Sequence, residues 1–294
     1  MKSCDPKSCD TCPGKEKMSK EETVRCKLAR IKHKIIVMSG KGGVGKSSVA
    51  VYLALALAQK DFKVGLMDID LHGPSIPKML GLRGPLNFTT DNQILPHEYR
   101  PNLKVVSIES MIEDTDAAII WRGPLKHGVI QQFLADCKWD ELDFLVVDCP
   151  PGTGDEPLSI ARLIPEASAV IVTTPQEIAL SDVRKSINFC RKVNLEVAGL
   201  VENMSGLFCP HCNEFIPIFR TGGGLKTAEA MELDYLGALP FDPAVVEGGD
   251  SGRPVIEDDG ETPFKTAVAA FAEKVLVRAN EIAASGLEKG KTLH

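Results

Sequence analysis

From residue 33 onward, short runs of apolar, often β-branched side chains alternate with longer stretches rich in alanine and leucine. Residues 34–38 (KIIVM) read as a short strand running into a glycine-rich turn. Residues 47–59 (SSVAVYLALALAQ) read as a helix, and 63–69 (KVGLMDI) as a second buried strand. Strand, loop, helix and strand in about 35 residues make one parallel crossover unit. The alternation continues with strands predicted at 103–108, 144–148, 169–174, 196–201 and 235–239. Helices are predicted at 123–135, 178–192, 223–231 and 264–282. Strands apolar along their whole length are buried on both faces. Helices between such strands imply an α/β fold with a doubly wound, mostly parallel sheet. No internal repeat or low-complexity tract interrupts the pattern.

Residues 1 to about 30 break it. They are rich in Lys, Glu, Ser and Cys and nearly free of large apolar side chains. Such a segment does not fold by burial alone; it stays flexible or is organised by a metal centre. The chain therefore divides into a cysteine-rich extension (1–30), a main domain (31–285) and a polar tail (286–294). Its 294 residues suffice for one large α/β domain with a small appendage. With 44% apolar and 25% charged residues, the composition is that of a globular protein. The net charge of −6 gives no general attraction to nucleic acid or anionic membrane. No apolar run reaches the roughly 18–20 residues of a membrane span, and the first residues lack an apolar signal core. The expected location is the cytoplasm, with neither nucleic acid nor membrane as partner.

The first candidate chemistry is at residues 40–47. Gly40-Lys41-Gly42-Gly43-Val44-Gly45-Lys46-Ser47 matches G-x-x-x-x-G-K-[ST], with a strand before it and a helix after it. The glycines let the backbone turn so that several N–H groups point at one phosphate chain. The following helix adds its positive end. Lys46 reaches the β- and γ-phosphates, and the Ser47 hydroxyl ligates Mg²⁺. The nucleotide-binding set is thus Gly40 to Ser47 with Ser48. Asp148 closes the strand LVVD, where a carboxylate suits an outer partner of the Mg²⁺. Gly152, a few residues on, is placed to sense the γ-phosphate through its N–H.

Nine cysteines form the second feature. In a reducing compartment, closely spaced cysteines suggest metal or cluster ligands rather than disulfides. Cys209 and Cys212 form a C-x-x-C whose two thiolates face one metal across a tight turn. Two cysteines are half of a tetrahedral site, and a dimer axis would supply the other half. Chemistry alone leaves zinc, a 4Fe–4S cluster and a redox dithiol open. His211, between the cysteines, reads as a surface residue. Cys4, Cys9, Cys12 and Cys26 supply four more thiols, for zinc, for a cluster held by four thiolates, or for an unligated tail. Cys137, Cys149 and Cys190 are scattered and read as small buried hydrophobes.

With its second lysine, Lys41, the loop resembles the "deviant" Walker A motif of the MinD, Mrp and nitrogenase-iron-protein class of P-loop ATPases. Asp68-Ile69-Asp70-Leu71-His72-Gly73-Pro74-Ser75, Asp148-Cys149-Pro150-Pro151-Gly152-Thr153-Gly154-Asp155, Asn203-Met204-Ser205 and the C-x-x-C beyond narrow the resemblance to the Mrp (ApbC-type) family over residues 30–285. The resemblance implies a homodimer with two ATP molecules between subunits, Lys41 reaching the partner's nucleotide. It implies that Asp70 positions or activates the attacking water, that Asp68 supports the Mg²⁺ shell and that Asn203 contacts the adenine. It also implies a labile 4Fe–4S cluster bridging the subunits through Cys209 and Cys212, delivered to apo iron–sulfur proteins, and slow ATP hydrolysis. A heterodimer with a related ATPase is the variant arrangement. Eukaryotic scaffold members carry a four-cysteine N-terminal extension for a second cluster. There the long gap comes first, whereas here it comes last, so the match is one of kind and not of register.

Two other readings compete. An electron-transfer ATPase like the nitrogenase iron protein also bridges a cluster, but with cysteines well separated in sequence. A positioning ATPase of the MinD/ParA type with structural zinc is opposed by the lack of a membrane-binding helix and of a basic patch.

Overall fold

Lys20–Leu28 (α1) is a helix although its sequence is mostly polar. Ser19 and Glu22 form a reciprocal capping box, with Ser19 Oγ accepting from the Glu22 N–H and the Glu22 carboxylate accepting from the Ser19 N–H. Val24 and Leu28, one turn apart, are buried against the core. A nine-residue helix is marginal alone. Burial of these two side chains, worth about 1.5–3 kcal/mol each, outweighs the cap at about 1 kcal/mol. The extension read as ending near residue 30 therefore gives its last stretch, from Ser19, to the main fold. Two apolar residues at helical spacing were too sparse a signal to reveal this.

The computed structural model describes residues 19–70, 73, 75–111 and 123–291, with side chains between 127 and 285 in the last stretch. After α1 the elements are β1 (Ile31–Ser39), α2 (Lys46–Gln59), β2 (Val64–Asp68) and α3 (Ile76–Met79), then β3 (Asn87–Phe88), β4 (Ile94–Leu95), β5 (His97–Arg100) and β6 (Leu103–Ser107). They continue with α4 (Gly123–Asp136), β7 (Leu142–Asp148), α5 (Asp155–Leu163), β8 (Ser168–Thr173), α6 (Glu177–Lys192) and β9 (Glu196–Glu202). The chain closes with β10 (Leu207–Phe208), β11 (Phe215–Ile216), α7 (Gly223–Ala230), β12 (Tyr235–Ala238), α8 (Pro243–Ser251) and α9 (Pro263–Lys291).

Eight strands form one sheet in the order β12-β9-β8-β1-β7-β2-β6-β5. All its pairings are parallel except β5 on β6, an antiparallel edge strand the sequence did not reveal. Helices α2, α3, α8 and α9 cover one face, and α1, α4, α5, α6 and α7 the other, with a buried apolar cluster on each side. The predicted doubly wound sheet is present. Helix α2 is buried all round from Val49 to Ala58 because it lies between the sheet and α9. Helix α9 runs to Lys291, into the segment read as a polar tail. Among the described residues no helix is long and apolar enough to cross a membrane.

The topology fixes where chemistry can occur. From β7 on one side of β1 the chain crosses to β8 on the other, so β1 lies at the point where the winding reverses. Crevices form there at the carboxyl ends of the strands. Ser39, Asp68 and Asp148 all end strands at that edge, and Asp68 pairs in register with Asp148.

Candidate functional site

The glycine-rich loop joins β1 to α2 and is shaped by its neighbours. A Cβ at Gly40 would lie 2.3 Å from the carbonyl carbon of Asp182 in α6, so only glycine fits. Gly45 caps α2 with a left-handed φ of 76°, and a Cβ there would also strike the Asn203 side chain. The Ser39 hydroxyl donates to the Lys41 carbonyl at 3.0 Å. Gly42 and Gly43 are exposed, and Lys41 and Ser48 are partly so.

Three carboxylates converge under this loop. Lys46 is buried, its Nζ 2.6 Å from Asp148 Oδ1 and 3.3 Å from Asp70 Oδ2. The Ser47 hydroxyl donates to Asp148 Oδ2 at 2.6 Å. Asp68 accepts from the Ser107 hydroxyl at 3.0 Å and from the Asp70 N–H at 3.0 Å. Burial and the charge of Asp148 push Asp68 up to about 8. Burial also raises Asp148, opposed by Lys46. Burial acts to lower the Lys46 ammonium, but Asp148, Asp70 and Asp68 together hold it above its ordinary value. When all are ionised, three negative charges meet one positive charge, leaving an excess of two in a place shielded from water. Such a site favours added positive charge, although Asp68, Asp70 and Asp148 do not together form a set of direct metal ligands.

The structure thus brings together the loop, Asp68, Asp70 and Asp148. It places Gly152 differently from expectation: the Gly152 N–H donates to the Ser39 carbonyl at 2.8 Å. The loop after β7 is folded back on the end of β1, so that N–H is engaged within the protein. Asn203 follows β9, and its Nδ2 donates to the Val44 carbonyl at 2.9 Å. It also lines a cavity of about 300 Å³ with Ser48, Tyr52, Met204, Phe241 and Asp242. Phe241 and Asp242 enter through the start of α8, where Asp242 caps the helix by accepting from the Ala244 N–H. Tyr52 gave no sequence signal as a wall of this cavity, because it sits within an apolar helical stretch.

Cys209 and Cys212 sit in the turn of the β10–β11 hairpin. Cys209 N–H donates to the Glu214 carbonyl, and Asn213 N–H to the Cys209 carbonyl. Phe208 and Phe215 meet edge to face across the strands. N–H groups of Cys212 and His211 point at the Cys209 sulfur and hold its thiol below the ordinary range. This is the geometry of a turn that stabilises thiolate. Cys209 is half-buried, while His211 and Cys212 are exposed. Every residue from 210 to 221 is exposed, including Phe215, Ile216, Ile218 and Phe219. Among the described residues no three His, Cys, Asp or Glu side chains could together hold a metal ion, so one chain offers half a thiolate site. Cys4, Cys9 and Cys12 lie outside the described residues, and Cys26 sits half-buried in α1. Cys137, Cys149 and Cys190 are fully buried.

A profile of the ParA family, described as NUBPL iron-transfer P-loop NTPase, matches residues 30–276. The chain is similar to an iron–sulfur cluster carrier protein of Methanocaldococcus jannaschii, 43% identical over 286 residues, covering 94% of this chain and 98% of that one. It is also similar to the cytosolic Fe-S cluster assembly factor NBP35 of Kluyveromyces lactis, 46% identical over 254 residues, covering 84% of this chain and 78% of the relative. Among solved structures, a nucleotide-binding protein of Archaeoglobus fulgidus in complex with ADP superposes with a TM-score of 0.70 at 34% identity, over 83% of this chain and 98% of the other. Matched in sequence over most of its length and in fold to these proteins, the chain belongs to the family of NUBPL-type iron-transfer P-loop NTPases.

Proposed function

We propose that this protein is an ATP-dependent iron–sulfur cluster carrier that holds a 4Fe–4S cluster between two copies of the chain and passes it to apo-proteins. The observation that carries the reading is the Cys209–Cys212 turn. It is a half-site, with Cys209 half-buried and Cys212 exposed, whose backbone N–H groups favour thiolate. It opens an exposed stretch (210–221) that includes Phe215, Ile216, Ile218 and Phe219, and a short turn joins it to the nucleotide loop. A second copy completes four thiolates, the number a 4Fe–4S cluster takes. The names of the Methanocaldococcus jannaschii and Kluyveromyces lactis relatives support the same cargo.

In this reading the backbone of Gly40 to Ser48 wraps the phosphates, and Lys46 leaves Asp148 to pair with them. Ser47 would hold Mg²⁺ through its hydroxyl, Asp148 and Asp68 would support the ion, and the ion would neutralise charge on the phosphates. Asp70, already beside Lys46, orients the attacking water. Lys41 reaches the partner's nucleotide, and Asn203 with the cavity beside α8 takes the base. Hydrolysis is slow and coupled to cluster release. Cys26 joins Cys4, Cys9 and Cys12 in a second site for a cluster or zinc. The cytoplasm is the expected compartment, in line with the acidic chain and with the "cytosolic" in the name of the Kluyveromyces lactis relative.

The test is iron and acid-labile sulfide analysis of protein purified without oxygen, comparing wild type with Cys209→Ala and Cys212→Ala. Loss in each variant of iron and sulfide equal to roughly one 4Fe–4S cluster per two chains is expected. Stoichiometric zinc without sulfide in the wild type would overturn the carrier reading.

A further inference from the structure

Outside the phosphate loop, Glu202 is a fully buried carboxylate with no part in the chemistry described so far. It ends β9. Its Oε1 accepts from the Ser205 hydroxyl at 2.5 Å and from the Gly222 N–H at 3.0 Å, and its Oε2 accepts from the Gly224 N–H at 2.5 Å. A Cβ on Gly224 would lie 2.9 Å from the Glu202 Cβ, so α7 begins directly against this side chain. The carboxylate therefore clamps the turn at 203–206 to the start of α7.

That turn touches both working parts of the protein. At its start, the Asn203 side chain donates to the Val44 carbonyl in the phosphate loop, and the Asn203 N–H donates to Thr173. Met204 (φ 56°) and Gly206 (φ 76°) both take left-handed backbone, giving a sharp elbow. The Ser205 N–H is tied to Leu239, and the Gly206 carbonyl accepts from Phe241. The Phe215 ring packs on Gly206, where a Cβ would lie 2.2 Å from it. Strand β10 then starts at Leu207 and reaches Cys209 two residues later.

We propose that Glu202 is a positioning residue that couples the nucleotide loop to the Cys209–Cys212 turn. With the elbow locked, a shift of the loop at Val44 is passed through Asn203 to the hairpin. With Glu202 unable to accept all three bonds, the elbow absorbs the shift instead. The inference rests on the reading that the loop binds nucleotide and the C-x-x-C holds cargo, but its test needs no cluster.

Reduced, metal-stripped full-length protein is treated with iodoacetamide, with and without Mg²⁺ and ADP. Modification of Cys209 and Cys212 is followed by peptide mass spectrometry, and ADP binding is titrated separately. In the wild type, ADP is expected to change the alkylation rate of this pair by about fivefold or more. Glu202→Gln replaces an accepting oxygen with a donor. It is expected to keep ADP affinity within about threefold while the response falls below about twofold. Ser205→Ala, a milder change that withdraws one donor, is expected to give an intermediate response and serves if Glu202→Gln does not fold. An undiminished response in either folded variant overturns the coupling role, as does a wild type whose thiols ignore bound ADP. A wild type that binds no ADP defeats the nucleotide reading as well, and the binding titration tells the two failures apart. The iron and sulfide assay decides the cargo independently.

Discussion

Gly40 shows how tightly a single position is held. It is glycine because the phosphate loop runs against the backbone of α6, with the Asp182 carbonyl carbon 2.3 Å from where a Cβ would be. Backbone on that side cannot rotate away as a side chain would. Gly40→Ala should therefore move the loop and cut ATP affinity by at least about tenfold, since displaced N–H donors lose their charge-assisted bonds to phosphate. Titration with a fluorescent ATP analogue reads this directly, and unchanged affinity would show that the loop accommodates the methyl group. The loop motif was legible because its glycines, lysine and serine are local in sequence. The contact that makes Gly40 obligatory was not, because Asp182 lies far along the chain.

At the scale of elements, α1 and the β10–β11 hairpin illustrate opposite cases. In α1 the polar surface hides two anchors, Val24 and Leu28, which pack into the cluster beside α4. Leu28→Ala should destabilise the protein by about 2–4 kcal/mol, the usual cost of emptying a buried leucine site. Urea denaturation followed by circular dichroism checks it; a change under about 0.5 kcal/mol would mean that α1 is peripheral. In the hairpin, the sequence announces the cysteines but not the two-residue strands that present them. Strands that short carry no periodicity. They form because Gly206 turns the chain and Phe208 meets Phe215.

At the scale of the whole molecule, Phe215, Ile216, Ile218 and Phe219 leave large apolar side chains exposed within five residues, with Leu225 also exposed. This stretch adjoins the cysteine turn, so it is where the proposed pairing of two copies would bury apolar surface. Ile218→Asp, with Ile218 43% exposed and outside the phosphate loop, should leave ATP binding intact. It should shift the cluster- or ATP-loaded protein toward monomer in analytical ultracentrifugation. A dimer that persists unchanged would move the interface elsewhere.

The sequence alone determined the alternating strands and helices, the phosphate loop, the acidic strand ends and the paired cysteines. Each of these is a local pattern set by side-chain periodicity or by fixed spacing. Tertiary structure decided what spacing does not encode. Parallel pairing of β2 with β7 set Asp68 beside Asp148, and burial together with that neighbouring charge pushed Asp68 up to about 8. Folding of the segment after β7 against β1 engaged the Gly152 N–H with Ser39. The elbow at 203–206 brought the phosphate loop and the cysteine turn onto one stretch of backbone, with Glu202 beneath it. These relations join residues distant in sequence, and they exist only because the sheet winds outward in both directions from β1.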